Sequence, residues 1–91
     1  PLQIMQTVSK VMELLKVLGE KGSRIAVSDV GVAVLFARAA LEGASLNIYI
    51  NTRLMKDREQ AEKLNKESDD LITEARRLQE EIYAGVLAKI R

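Results

Sequence analysis

Apolar residues at Ile4, Val8, Val11, Leu15 and Leu18 recur at alternating spacings of three and four, the stripe of one helix face, and predict a first helix over residues 2–20. Pro1 is tolerated at a helix start, and Gly22 supplies a left-handed stop after Lys21, which leaves residues 23–27 as a connection. From Val30 the pattern changes. The run Val30-Gly-Val-Ala-Val-Leu-Phe-Ala37 carries no charge, and between Val30 and Ile50 the only charged residues are Arg38 and Glu42, spaced to face each other one turn apart. Ser28 or Asp29 stands where a helix cap belongs. An apolar or small circumference sustained for roughly six turns predicts a central helix enclosed by others, and it lacks the turn signals that a strand would need.

The third segment begins near Asp57, whose side chain is placed to cap while Gln60 reaches back. Ala61, Leu64, Ser68, Leu71, Ala75, Leu78 and Ile82 follow as a narrow seam, which widens through Tyr83, Val86, Leu87 and Ile90. Glu59 with Lys63 and Glu62 with Lys66 are ordered favourably as i, i+4 pairs on the solvated side. At about 1.5 Å per residue this helix would be on the order of 50 Å long, so it must lie along something larger than a compact domain of this size. The expected fold is all-α, a helical bundle with a central apolar helix and a long C-terminal amphipathic helix. No repeat, low-complexity stretch or proline-rich linker divides residues 1–91, which form one domain or part of one.

Composition narrows the chemistry. With 47% hydrophobic residues and only 3% aromatic, the core must come from aliphatic side chains and methionine, as suits packed helices. A net charge of +1 from 14 basic and 13 acidic residues provides no footprint for nucleic acid or an anionic membrane. Arg38, Glu42, Ser45 and Asn47 interrupt the central helix, and two charges at mid-bilayer cost several kcal/mol, which argues against a span. The absence of cysteine fits a reducing, cytoplasmic setting; the absence of histidine as well removes the usual zinc ligands and the commonest general base. Any catalysis here is carboxylate, amine, phenol or water chemistry. No secretory signal is visible, and the chain begins Pro1-Leu2 without an initiator methionine.

Within the central helix Ala33, Ala37, Ala40 and Ala44 form one row of small residues, and Ala39, Gly43, Asn47 and Asn51 another. Close helix packing explains such rows most simply. Asn47 and Asn51 sit one turn apart, and a buried unpaired amide costs about 1–3 kcal/mol, so they must either bond across a helix interface or read a ligand's donor and acceptor edges. At the same rise per residue Asp29 and Asn47 are about 27 Å apart, so both can serve one site only from different subunits or across a broken helix. Arg53, Lys56 and Arg58 cluster at the end of this helix, where they meet its dipole or an acidic ligand tail.

The phased string Ser28-Asp-Val-Gly-Val-Ala33, Ala37-Arg-Ala-Ala-Leu-Glu-Gly-Ala44 and Leu46-Asn-Ile-Tyr-Ile-Asn51 closely resembles the formimidoyltetrahydrofolate cyclodeaminase domain, a family that also includes methenyltetrahydrofolate cyclohydrolases. The resemblance implies an all-helical homodimeric enzyme of folate one-carbon metabolism. Its reaction would be loss of ammonia from 5-formimidoyltetrahydrofolate with closure to the 5,10-methenyl form, with no metal or redox cofactor required. It implies that Asp29 handles a proton or orients folate, and that Ser28, Asn47 and Asn51 contact the substrate or the interface; Arg53, outside the matched positions, is a candidate substrate contact by its charge alone. The matching glycines are Gly31 and Gly43. The family's upstream glycine-rich segment has no counterpart in these residues, so the expected site is incomplete if these 91 residues are the whole molecule. The competing expectation is a helical assembly module without chemistry, its seam and small-residue rows serving association alone.

Overall fold

The computed structural model describes residues 2–21 and 24–91, and these form three helices: α1 (Leu2–Lys21), α2 (Arg24–Leu54) and α3 (Arg58–Ile90). The expected stop at Gly22 falls outside the described residues. Each helix packs on the other two, and the result is a rod measuring 51 × 17 × 14 Å. The length anticipated for the third helix is thus the length of the whole bundle, with α1 and α2 as the surface it lies along.

α2 starts earlier than the sequence pattern indicates. Residues 24–27, expected as connection, are helical, so Ser28 and Asp29 lie inside the helix and not at its cap position. Apolar Ile25, Ala26 and Val27 continue the helix toward its N-terminus, and Val27 is fully buried. The start of α3 follows expectation at Asp57, although no hydrogen bond from the Gln60 side chain back to it is found among the described residues. Asp57 is its N-cap, in extended backbone, and accepts a 3.1 Å hydrogen bond from the Gln60 amide. Arg58 closes the preceding helix by donating to the carbonyls of Thr52 (2.7 Å) and Met55 (2.9 Å), where the Thr52 carbonyl also accepts the Met55 amide at 3.2 Å.

The core is a single cluster in which Met5 and Met12 of α1, Val27, Val30, Val34, Leu41 and Ile48 of α2, and Ala75, Leu78, Ile82 and Val86 of α3 are buried. The α3 seam is as expected, with Leu64 and Leu71 at its half-buried margin. On α1 the buried line is rotated from the predicted one. Met5 and Met12 occupy it, flanked by Val8 and Leu15, while Ile4, Val11 and Leu18 are exposed. Two apolar stripes compete on that helix, and the flexible thioethers fill the irregular gap against the other two helices. On the α3 surface Arg58 pairs with Glu62, Lys66 with Asp70, and Arg77 with both Glu74 and Glu81; neither expected pair, Glu59 with Lys63 or Glu62 with Lys66, is among the ion pairs of the described residues.

α2 is not enclosed. Its buried side faces α1 and α3, and the opposite side is bare: Val32, Phe36, Leu46, Ile50 and Leu54 are exposed there, Phe36 to 74% and Leu54 to 78%. Ala39, Ala40 and Gly43 lie between them on the same face. A uniformly apolar helix with one face in water corrects the expectation of a helix surrounded within this chain, and the row of small residues marks where another backbone can approach.

Candidate functional site

Along one edge of α2 a polar ladder runs between α2 and α3. Its middle is Glu42, one of only two charges in the apolar stretch of that helix. Arg38 Nε donates to Glu42 Oε2 at 2.9 Å, while Arg76 of α3 donates to Oε1 through Nη2 at 2.5 Å and Nε at 3.1 Å. Arg38 also donates through Nη1 to the buried Gln79 side chain. Hydrogen bonds from Arg38 first, then from Arg76, hold the Glu42 carboxyl below its ordinary range and outweigh the opposing effect of burial. The lone pair legible in the sequence is therefore half of a four-residue network.

Two turns further along, the Tyr49 hydroxyl donates to Asp69 Oδ1 at 2.5 Å and lies 3.2 Å from Ser68 Oγ, which in turn lies 3.6 Å from the Met5 sulfur. Burial, reinforced by the neighbouring carboxylate, pushes the Tyr49 phenol above its usual value. It stays a neutral O–H donor across the physiological range. Beyond it Thr52 donates to Asn65 Oδ1 at 2.7 Å, which satisfies a hydroxyl that is almost fully buried.

Between the Glu42–Arg76 pair and the Tyr49–Asp69 pair lies an open groove of about 610 Å³, whose lining includes Gly43, Leu46, Ile72 and Thr73 as well as those residues. Its size suits a small organic ligand, and it combines an apolar floor with a few polar groups, the usual make-up of such a site. Gly43 and Leu46 belong both to this groove and to the bare face of α2, so any element laid on that face would wall the groove on its open side.

The residues singled out from sequence lie elsewhere on the same helix. Asp29, Asn47 and Asn51 are exposed along the bare face; Asp29 and Asn47 stand five full turns apart on one line of the helix, about 27 Å by rise. Ser28 is half-buried, and Arg53 is exposed in the last turn of α2. Since α2 runs unbroken from Arg24 to Leu54, Asp29 and Asn47 can serve one ligand only from two different chains. The two asparagines carry no burial cost within this chain, contrary to the argument from buried amides; that cost would apply only beneath a covering element. Sequence reasoning missed Tyr49, Asp69, Arg76 and Gln79, which belong to two helices and meet only through their register. The one available signal was the isolated Arg38–Glu42 pair, since charges in an apolar stretch require partners.

None of the described helices is long and apolar enough to cross a membrane. Residues 1–70 match the family described as formiminotransferase-cyclodeaminase. The chain is also similar to the methenyltetrahydrofolate cyclohydrolase of Methylorubrum extorquens, at 41% identity over 90 residues, which is 99% of this chain but 43% of that relative. The chain thus spans less than half the length of the curated relative it matches.

Proposed function

The chain belongs to the formiminotransferase-cyclodeaminase family, and from that premise we propose that it forms part of the site of an enzyme acting on reduced folate, at the one-carbon unit between N5 and N10. The observation that carries this reading is the groove between α2 and α3, which adjoins the face of α2 bearing the family's Asp29, Gly43, Asn47 and Asn51. Hydrolysis of the 5,10-methenyl form is favoured by the similarity to a cyclohydrolase across nearly the whole chain. Water adds to the methenyl carbon, the bond from that carbon to N5 breaks, and 10-formyltetrahydrofolate leaves with release of a proton. Deamination is the second reading, supported by the family description over residues 1–70. There N10 attacks the formimidoyl carbon of the 5-substituted folate, and ammonia departs as a positioned acid protonates it.

Both reactions need a group that moves a proton beside a cationic amidine-like carbon, and neither needs a side-chain nucleophile. That fits a chain with no histidine and no cysteine. Tyr49 hydrogen-bonded to Asp69 supplies a neutral donor beside a carboxylate, and Asp29 supplies a further carboxylate where a second element would cover α2. A second copy of the chain, or further helices of a longer polypeptide, would complete the pocket over the bare face.

The test offers the purified protein 5,10-methenyltetrahydrofolate and 5-formimidoyltetrahydrofolate in separate reactions, following the methenyl chromophore and free ammonia. Accelerated loss of the chromophore in the first reaction supports hydrolysis. Chromophore gain with stoichiometric ammonia in the second supports deamination, and no acceleration of either overturns the reading.

A further inference from the structure

The two ends of the α2–α3 groove differ in chemistry. At one end Arg38 and Arg76 share the single carboxylate of Glu42, which leaves one positive charge unbalanced, and Arg76 Nη1 has no hydrogen-bond partner among the described residues. At the other end Asp69 accepts the Tyr49 hydroxyl on Oδ1, while its Oδ2 accepts nothing among the described residues. Asp69 and Arg76 are seven residues apart on one helix, so they share its face about 10.5 Å from each other. Leu46 and Ile72 offer apolar surface in the same groove, and a Cβ on Gly43 would meet nothing within 4 Å.

Two other hollows, of about 250 and 360 Å³, are smaller. In the one beside the α1 C-terminus, Lys16 is paired with Glu81, and Lys89 donates to the carbonyls of Gly19 and Glu20. In the one at the start of α3, Asp57 is committed to its cap.

Resting on the reduced-folate reading above, we propose that this groove binds the folate lengthwise, with the Asp69 carboxylate accepting the N–H donors of the pterin ring and the Arg76 guanidinium donating to acceptor oxygens of the aminobenzoylglutamate arm. A pterin presents an exocyclic amine beside a ring N–H, a pair of donors that a carboxylate meets with two parallel hydrogen bonds. The arm carries carbonyl and carboxylate acceptors, which a guanidinium fork recognises. The flat ring system lies on Leu46 and Ile72, and the missing side chain at Gly43 leaves room for it.

The experiment is calorimetric titration of the protein with tetrahydrofolate, with a tetrahydropterin lacking the arm, and with p-aminobenzoylglutamate. It is repeated on Asp69→Asn and Arg76→Gln, both at exposed positions, and on Gly43→Leu, which adds a bulky apolar side chain to the groove lining at a point where a Cβ meets nothing within 4 Å. Asp69→Asn is expected to weaken tetrahydrofolate and the tetrahydropterin by about tenfold or more while sparing the arm fragment; Arg76→Gln is expected to do the reverse. Gly43→Leu is expected to abolish binding of tetrahydrofolate with helicity retained. Unchanged tetrahydrofolate binding in all three variants overturns the groove assignment and leaves the folate reading standing, and an inverted fragment pattern overturns the orientation. Absence of tetrahydrofolate binding in the unaltered protein overturns the folate reading and this inference with it.

Discussion

Single residues separate fold from function most clearly at the glycines of α2. A Cβ at Gly31 would sit 3.0 Å from a methyl of the buried Val86, whereas one at Gly43 meets nothing within 4 Å. Alanine improves on glycine in a helix by about 1 kcal/mol. Gly43→Ala is therefore expected to raise the thermal midpoint, as is the control Gly85→Ala, where space is also open. Gly31→Ala gains the same propensity but must push the α2–α3 contact apart, at a typical cost of 1–3 kcal/mol, and its midpoint should fall. If Gly43→Ala nevertheless weakens folate binding while Gly85→Ala does not, Gly43 is retained for the groove and not for the helix. Glu42 provides a pH signature. Its folded pKa lies below the unfolded value near 4.5, so its pairing contributes stability that is complete above that value and is lost as pH falls through the folded pKa. Glu42→Gln should accordingly lower the melting temperature at neutral pH, and the gap to the unaltered protein should close in acid.

At the scale of elements, the sequence made the number, type and order of helices legible because periodicity and capping are local. The α3 seam and the Asp57 cap follow directly from residue spacing, and Leu78, only 1% exposed on that seam, gives a direct check on it. Leu78→Ala is expected to cost 2–5 kcal/mol in chemical denaturation, and a cost below about 1 kcal/mol would mean that α3 does not pack as described. Less legible was whatever depends on comparing two possible faces. α1 carries two apolar stripes, and only the shape of the gap between α2 and α3 selects the one with Met5 and Met12. The beginning of α2 was misplaced because Ser28-Asp29 resembles a cap, whereas the apolar residues before it extend the helix to Arg24. The Tyr49–Asp69 pair was invisible for a related reason. Its members stand 20 positions apart on two helices, and their meeting depends on a register that neither helix encodes alone.

The whole molecule is a thin rod with one apolar side uncovered. Exposed Val32, Phe36, Leu46, Ile50 and Leu54 on one helix face form a patch of the kind that marks an interface in soluble proteins. A second copy laid antiparallel on α2 would cover this patch and bring Asp29 of one chain toward Asn47 of the other, the arrangement that an unbroken helix requires if both serve one ligand. Sedimentation velocity is expected to show a dimer, and Phe36→Glu, at a side chain 74% exposed in the single chain, should shift it to monomer with little loss of helicity. A monomer in the unaltered protein would point to helices of a longer polypeptide as the cover.

Calorimetric titration of the protein with a reduced folate, run in parallel on Gly43→Leu, asks directly whether the groove between α2 and α3 is part of a reduced-folate site. Saturable binding that disappears in a fully helical Gly43→Leu variant is the predicted result. Binding of equal strength in both proteins, or none in the folded unaltered protein, would contradict it.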